Sequence, residues 1–265
     1  MLRERVLVAV VLVPIVAAVA WLGGWWFTAF VALAALLAAW ELFALLGKNE
    51  FLQPVAVLGL IIVGWLVLES GLPPKPERFQ ILLVLSVLVG LVVALFLRQP
   101  HAASDWILTL GGAVYLGLTM RFLAMLRGLP DGLGWVALAA LVTWITDSGA
   151  YFIGRAWGRH KLWPRVSPKK TWEGLVGGLA VGTPSAALLA LFLVPGLTWW
   201  QGVIIGLAVG TLGPFGDLSE SLFKRQVGVK DSSHLLPGHG GAFDRIDSFI
   251  FVGPVIYMLA RLFGW

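Results

Sequence analysis

The sequence predicts an all-α, polytopic integral membrane protein with about nine transmembrane helices. Three observations lead there. Of the 265 residues, 59% are hydrophobic and only 12% are charged. A soluble domain carries roughly twice that share of charge, and the mean hydropathy here is +0.89. Apolar runs of about 17–25 residues recur along the chain, the length that spans hydrocarbon as a helix. No sustained period-two alternation supports a β-barrel. Cysteine is absent, which excludes disulfides, thiolate catalysis and Cys-ligated zinc.

Taken in order, the runs fall at roughly 6–22, 25–46, 52–69, 79–97, 104–126, 133–155, 172–194, 199–223 and 245–263. The first follows Met1–Arg5. Ala18-Val19-Ala20 faintly resembles a signal-peptidase site, but the run is nearly long enough to span and is read as a helix that stays. Glycine and proline breaks separate the runs, at Gly23-Gly24, Gly71–Pro76, Pro130–Gly132 and Pro195-Gly196. The first two runs could instead form one re-entrant unit, so the count is bracketed by eight and ten. No internal repeat, low-complexity tract or soluble domain is evident. Residues 1–130 read as about five scaffold spans that could carry dimer contacts. Residues 131–265 read as a catalytic region of about four spans, with polar loops at 155–171 and 225–243.

Placing the N-terminus in the cytoplasm leaves Lys75, Arg78, Arg121, Arg127 and Arg261 on the far side and the other fourteen basic residues inside. That distribution obeys the positive-inside rule. The net charge of +5 therefore reads as topology rather than as a surface for nucleic acid, which is not an expected partner. Trp25, Trp26, Trp106, Trp135, Trp199, Trp200 and Trp265 lie near run ends, where interfacial anchors belong.

Charge inside the oil is the functional signal, because ionisable groups at membrane depth are costly. The stretch Gly213–Asp247 alone holds Asp217, Glu220, Asp231, Asp244 and Asp247. Asp147 precedes Arg155 by eight residues, roughly 12 Å along a helix, and Asp217 precedes Lys224 by seven. Asp247 and Glu173 stand near the starts of the last and seventh runs. Four helices thus bring carboxylates to similar depth, describing a polar cavity open to the cytoplasm.

Asp217, Glu220, Ser221 and Lys224 share a helix face at i, i+3, i+4 and i+7. A packing stripe would need only Glu220 with Lys224 and would leave Asp217 without a partner. Asp244 and Asp247, at i and i+3, are either a helix cap with a neighbour or a divalent-cation site. Oxygen ligands suit magnesium, which takes one or two carboxylates and then substrate phosphate. The Pro237–Gly241 turn contains His239, Gly240 and Gly241, and glycine loops can turn N–H groups toward an anion. In the segment SPKKTWEG, from Ser167 to Gly174, Thr171 can cap a helix with Glu173 in its first turn. Lys169 and Lys170 there are topology signals or phosphate binders. Glu41, alone in the second run, is assigned no role, and the role of Glu220 stays open.

The pattern SxFKRx4KDxSx2LPxHGGAxDRID, running over twenty-seven positions from Ser221 to Asp247, resembles the signature of bacterial CDP-diacylglycerol synthases, also called phosphatidate cytidylyltransferases. The segment SPKKTxEG at 167–174 is also similar to that family, as is the plan of about nine helices. Ala242 departs from it, standing where the family usually has a larger apolar residue. The resemblance implies conversion of CTP and phosphatidic acid to CDP-diacylglycerol and pyrophosphate, with magnesium and room for a second divalent or monovalent ion. It implies Asp217 and Asp244 as metal ligands, with Asp247 and Asp231 as further metal or nucleotide contacts, and Lys224, Arg225, Lys230 and Arg245 on phosphates. Asp147 joins the metal candidates. Lys169, Lys170, Glu173, Ser221, His239, Gly240 and Gly241 join the substrate-binding candidates. A homodimer in the cytoplasmic (inner) membrane, with its site facing the cytoplasm, completes the expectation. Two rivals are a CTP-dependent lipid kinase and an anion transporter. The kinase needs a base to activate a hydroxyl. Transporters often show paired repeats, and none is visible here.

Overall fold

A computed structural model of the chain describes residues 2–48, 52–97, 100–233, 235 and 240–265. Among them are nine helices: α1 Leu2–Leu22, α2 Gly24–Leu46, α3 Ala56–Glu69, α4 Pro76–Phe96, α5 Ala102–Arg127, α6 Gly132–Trp157, α7 Trp172–Leu193, α8 Trp199–Gln226 and α9 Phe243–Leu262. Six of these, α2 and α4 to α8, are long and apolar enough to cross a membrane. The chain is a polytopic, essentially all-α membrane protein.

The third helix is shorter than its apolar run, starting at Ala56 rather than near residue 52. The Gln53 N–H donates to Asp105 Oδ1 at 2.7 Å and the Val55 N–H to Thr109 Oγ1 at 2.8 Å. Side chains of α5 thus take donors that an earlier start would have turned along the helix. At 14 residues, α3 is about 21 Å long, short of the hydrocarbon thickness. α9 is 20 residues long but opens with Asp244, Arg245 and Asp247. The loop at 155–171 is not wholly irregular. It contains a two-stranded antiparallel ribbon, β1 Lys161–Trp163 against β2 Ser167–Thr171, with Lys161 opposite Thr171 and Trp163 opposite Ser167.

The chain forms two compact units. The first is Met1–Met125 with Phe223–Ile246, and the second is Leu126–Leu222 with Asp247–Trp265. In the first, the ring of Phe43 sits against glycines of α3 and α5. A Cβ on Gly59 would lie 2.3 Å from Phe43 Cε2, and one on Gly112 would lie 2.9 Å from Cε1. Glu69 ends α3 by accepting from Arg78 at 3.0 Å and Arg121 at 2.8 Å. The Arg121 guanidinium also lies 4.1 Å from the centre of the Phe79 ring. This buried acid is neutralised by two cations rather than left to the bilayer.

In the second unit, small residues let backbones touch, as membrane helices without a hydrophobic driving force require. α7 turns Gly174 and Gly178 to α6, where their Cβ atoms would lie 2.9 Å from the carbonyl oxygens of Ala150 and Thr146. α8 turns Gly202 and Gly206 to α7, where Cβ atoms would lie 2.6 Å from the Cα atoms of Ala187 and Thr183. Trp135 and Trp265 close one end of this unit edge to face, with centroids 5.6 Å apart.

Gly206→Leu should force α7 from α8 and lower the melting midpoint of the detergent-solubilised protein by about 5 °C or more, the scale of an overpacked core. Gly111→Leu, where a Cβ meets nothing within 4 Å, should leave it within about 2 °C. Scanning calorimetry of both variants beside the parent checks the contrast, and equal midpoints would refute the close packing at Gly206.

Candidate active site

The second unit contains a carboxylate cluster. Asp217 and Glu220, one turn apart on α8, meet Asp247 of α9, and one oxygen from each lies within 4.8 Å of the other two. Gly216 makes the approach possible, since a Cβ there would stand 2.1 Å from the Asp247 carbonyl oxygen. α8 and α9 therefore touch through backbone one residue before Asp217. Glu220 is buried, while Asp217 and Asp247 are half-buried.

Lys170 reaches this cluster from the end of the ribbon. Its Nζ lies 3.0 Å from Asp217 Oδ2 and 3.1 Å from the Pro214 carbonyl oxygen. Asp217 is therefore partnered, which corrects the expectation that it would stand alone. The Ser221 hydroxyl donates to Asp217 Oδ1 at 3.2 Å, and the Ser248 N–H donates to Asp247 Oδ1 at 2.6 Å. Asp147 of α6 lies within electrostatic reach of Lys170, Asp217 and Asp247. Among the described residues four acids gather around Lys170, an excess of carboxylates over that partner.

That excess fits a divalent cation. The donors are hard oxygens, and ligands on opposite sides of a magnesium ion stand about 4 Å apart. Of three ligands on one ion at most one pair stands opposite and the others lie about 3 Å apart, so carboxylate atoms within 4.8 Å of one another need to draw in by up to about 2 Å. Asp217, Glu220 and Asp247 are the residues placed to hold such an ion, with Asp147 nearby.

Glu173 and Lys169 lie around the ribbon. The Thr171 side chain caps α7, accepting from the Gly174 N–H at 3.1 Å, as the sequence predicted. The Glu173 carboxylate accepts from the His160 N–H at 3.1 Å and contacts the His160 ring. Glu173 therefore ties the start of the ribbon to the helix dipole. Lys169 is exposed.

Phe223–Ile246, most of the signature, belongs to the first unit. α8 ends in a Schellman turn. The Val229 N–H donates to the Lys224 carbonyl at 3.0 Å and the Gly228 N–H to the Arg225 carbonyl at 3.1 Å, with Gly228 at φ +71° where only glycine is comfortable. The rings of Phe223 and Phe243 lie 5.8 and 6.5 Å from that of Tyr115 on α5, fixing both ends of the loop. Lys224 is buried and donates to Asp244 Oδ1 at 2.7 Å. Asp244 Oδ2 accepts from the Ser232 N–H at 3.1 Å, the Ser232 hydroxyl at 2.8 Å and the Gly241 N–H at 2.8 Å. Arg225, Lys230, Asp231 and Arg245 are exposed, and Arg225 donates to the Val229 carbonyl at 2.9 Å.

Asp244, expected as a metal ligand together with Asp247, meets protein donors within the first unit. The described cluster joins Asp247 to Asp217 and Glu220, while both oxygens of Asp244 are engaged by protein donors. Likewise the Gly241 N–H is committed to Asp244 rather than presented to an anion. Gly240, at φ +79°, has no room for a side chain beside Asp244 Oδ2. His239 lies outside the described residues. Two acids escaped assignment from sequence. Glu220 is third in the cluster, signalled by its i+3 spacing from Asp217. Glu41 of α2 is 1% exposed and binds the signature loop through four hydrogen bonds. Its only sequence signal was being an acid within an apolar run. Ala242, the departure from the signature, is buried and contributes its N–H to Glu41.

Residues 3–263 match the model of the cytidylyltransferase family. The chain is 35% identical over 232 residues to a phosphatidate cytidylyltransferase of Bacillus subtilis, covering 84% of this chain and 85% of that protein. It is 33% identical over 263 residues to one from Staphylococcus haemolyticus, covering 97% and 98%. A third, from Brucella suis, is 35% identical over 267 aligned positions, covering 99% and 94%.

The geometry predicts that manganese, as a paramagnetic stand-in for magnesium, binds the detergent-solubilised protein. Asp217→Asn and Asp247→Asn should each weaken it at least about tenfold. Gly216→Val should do the same without removing a ligand, by parting α8 from α9. Electron paramagnetic resonance titration of free manganese measures all three, and parental affinity in both Asp variants would dismiss the cluster as a metal site.

Proposed function

The chain belongs to the cytidylyltransferase family, and on that premise we propose that it transfers the cytidylyl group of CTP to phosphatidic acid, yielding CDP-diacylglycerol and pyrophosphate for phospholipid synthesis. The observation that carries this reading is the negative cluster of Asp217, Glu220 and Asp247 beside Lys170.

The chemistry asks little acid–base work of the protein. The nucleophile is an oxygen of the lipid's phosphate monoester, whose second pKa is about 6, so it is already anionic near neutral pH. It bonds to the α-phosphorus of CTP while the bond from that phosphorus to the α–β bridging oxygen breaks. The electron pair leaves with pyrophosphate. The obstacle is the repulsion between two polyanions and the charge on the leaving group. Asp217, Glu220 and Asp247 would hold a magnesium ion, which would supply charge neutralisation for the phosphates. Lys170 adds a fixed positive charge to that cluster. We assign Lys169, Lys224, Arg225, Lys230 and Arg245 to phosphate contacts on the strength of the signature, with Asp231 beside them and Asp244 orienting Lys224. Positioning and charge stabilisation of this kind account for most of the catalysis in phosphoryl chemistry.

The site faces the cytoplasm of the cell membrane in this reading, because the basic loops fall on that side and CTP is made there. The lipid's acyl chains then never leave the bilayer. We retain the homodimer implied by the resemblance as part of the proposal. Because the chain lacks cysteine, Arg165→Cys in the exposed ribbon turn gives a clean topological probe. An impermeant maleimide should label it in inverted vesicles and not in intact cells, and the opposite pattern would place the ribbon outside.

Purified protein given phosphatidic acid, magnesium and CTP labelled at the α-phosphate should pass label to a lipid that migrates as CDP-diacylglycerol. CTP labelled at the γ-phosphate should label only pyrophosphate. Lipid labelled from the γ-position would instead establish the kinase reading. Asp217→Asn should lower the transfer rate at least about a hundredfold, a loss typical of removing a transition-state charge stabiliser.

A further inference from the structure

Glu41 is supplied by α2, far from the signature in sequence, yet its hydrogen-bond partners among the described residues lie within that signature. Its Oε1 accepts from the Ser233 hydroxyl at 2.6 Å and the Ala242 N–H at 2.9 Å. Its Oε2 accepts from the Ser232 hydroxyl at 2.8 Å and the Phe243 N–H at 2.9 Å. Three donors belong to Glu41 alone and the Ser232 proton is shared with Asp244, so most of the roughly four acceptor positions of the carboxylate are taken. It is a clamp, closed on both ends of the segment 232–243.

Each end has a reason to need it. The N–H groups of Ala242 and Phe243 open α9 and have no partner within the helix. A residue just before a helix normally supplies the cap from its own side chain, but Ala242 has none to give. Glu41 caps α9 from another helix instead. At the other end it holds Ser232 and Ser233. Ser232 in turn gives its N–H to Asp244 Oδ2, and its single hydroxyl proton lies between Glu41 Oε2 and Asp244 Oδ2, each 2.8 Å away. Gly241 must be glycine for the clamp to close, since a Cβ there would lie 2.2 Å from Glu41 Oε2 and 2.0 Å from the Ser232 hydroxyl.

The consequence runs from Glu41 through Ser232 and Gly241 to Asp244, and from Asp244 to Lys224. We infer that Glu41 is a positioning residue for the transfer reaction, holding the Asp244–Lys224 pair in working geometry through the ends of the signature loop. This rests on the cytidylyl-transfer reading for its kinetic consequence, though not for the clamp itself.

The test combines kinetics, a double-mutant cycle and hydrogen exchange. Glu41→Gln keeps the shape but turns one acceptor into a donor facing donors. It should lower kcat about 10- to 100-fold, the range for lost outer supports of a site, with the KM for phosphatidic acid within about twofold. The double variant Glu41→Gln/Lys224→Ala should be no slower than Lys224→Ala alone, because the clamp acts through that lysine. A peptide spanning 240–246 should exchange its amides faster in Glu41→Gln. Should Glu41→Gln fail to fold, Ser233→Ala removes a single bond to Glu41 and should give a smaller loss that again vanishes in the Lys224→Ala background. Losses that multiply across either cycle would reduce Glu41 to general structural support and overturn the inference, as would parental kcat in Glu41→Gln. A parent protein without transfer activity would sink the functional reading instead, and exchange at 240–246 unchanged by Glu41→Gln would then sink the clamp.

Discussion

A carboxylate inside a membrane protein must be answered, either by donors or by a cation, because water is not there to do it. This molecule gives both answers. Glu69 meets two arginines, Asp105 takes the Gln53 N–H ahead of a short helix, Glu41 gathers two N–H groups and a hydroxyl, Asp244 gathers a lysine and two N–H groups, and Glu41 and Asp244 share the Ser232 hydroxyl. Each of these is locally balanced by protein. Asp217, Glu220 and Asp247 are different. With Asp147 nearby, they gather where Lys170 reaches Asp217. The first group is met by protein donors, and the second brings hard oxygens close together, a donor set that suits a divalent metal ion.

The backbone arrangement serves that distinction. Gly216 allows α8 to touch α9 at the level of the cluster, and Gly241 allows the loop to close on Glu41. Both positions exclude a side chain for steric reasons, and both lie within three residues of a carboxylate they help to place. Glycines elsewhere in the second unit bring α6, α7 and α8 together at backbone distance. Rigid, closely packed helices hold charged groups better than loops do, and here the cluster's three carboxylates come from helices.

Much of this was legible in the sequence, because a helix in lipid leaves strong signals. Run length fixed the helices, with the third displaced only because Asp105 and Thr109 draw away donors that no periodicity reveals. The ribbon at 161–171 went unread, since three- and five-residue strands beside prolines carry little pattern. Asp217 and Asp247 stood out as acids at depth. Glu220 and Glu41 stood out less, because their meaning lies in contacts rather than in spacing. The partner of Glu41 is some two hundred residues away, and no local rule points to it. The same holds for Lys170 and Asp217, which a helical wheel would have left apart. Asp244 shows the opposite case. Its spacing from Asp247 suggested a shared ion, while the backbone donors from Ser232 and Gly241 that meet one oxygen are invisible in a pattern of side chains.

The division of labour between the two kinds of acid also bears on why no general base stands out. A reaction whose nucleophile is already charged gains nothing from proton abstraction. It gains from holding cations where negative charge accumulates, and from keeping them there while substrates come and go. A lysine free to swing would follow the phosphates out with the product. Lys224 is buried and tethered to an aspartate that is itself met by the Ser232 and Gly241 backbone, so its orientation is set by protein contacts alone. Preorganisation of that kind is where charge-based catalysis draws its advantage over water. It also gives a reason for an acid on a remote helix to be retained at the cost of burying it.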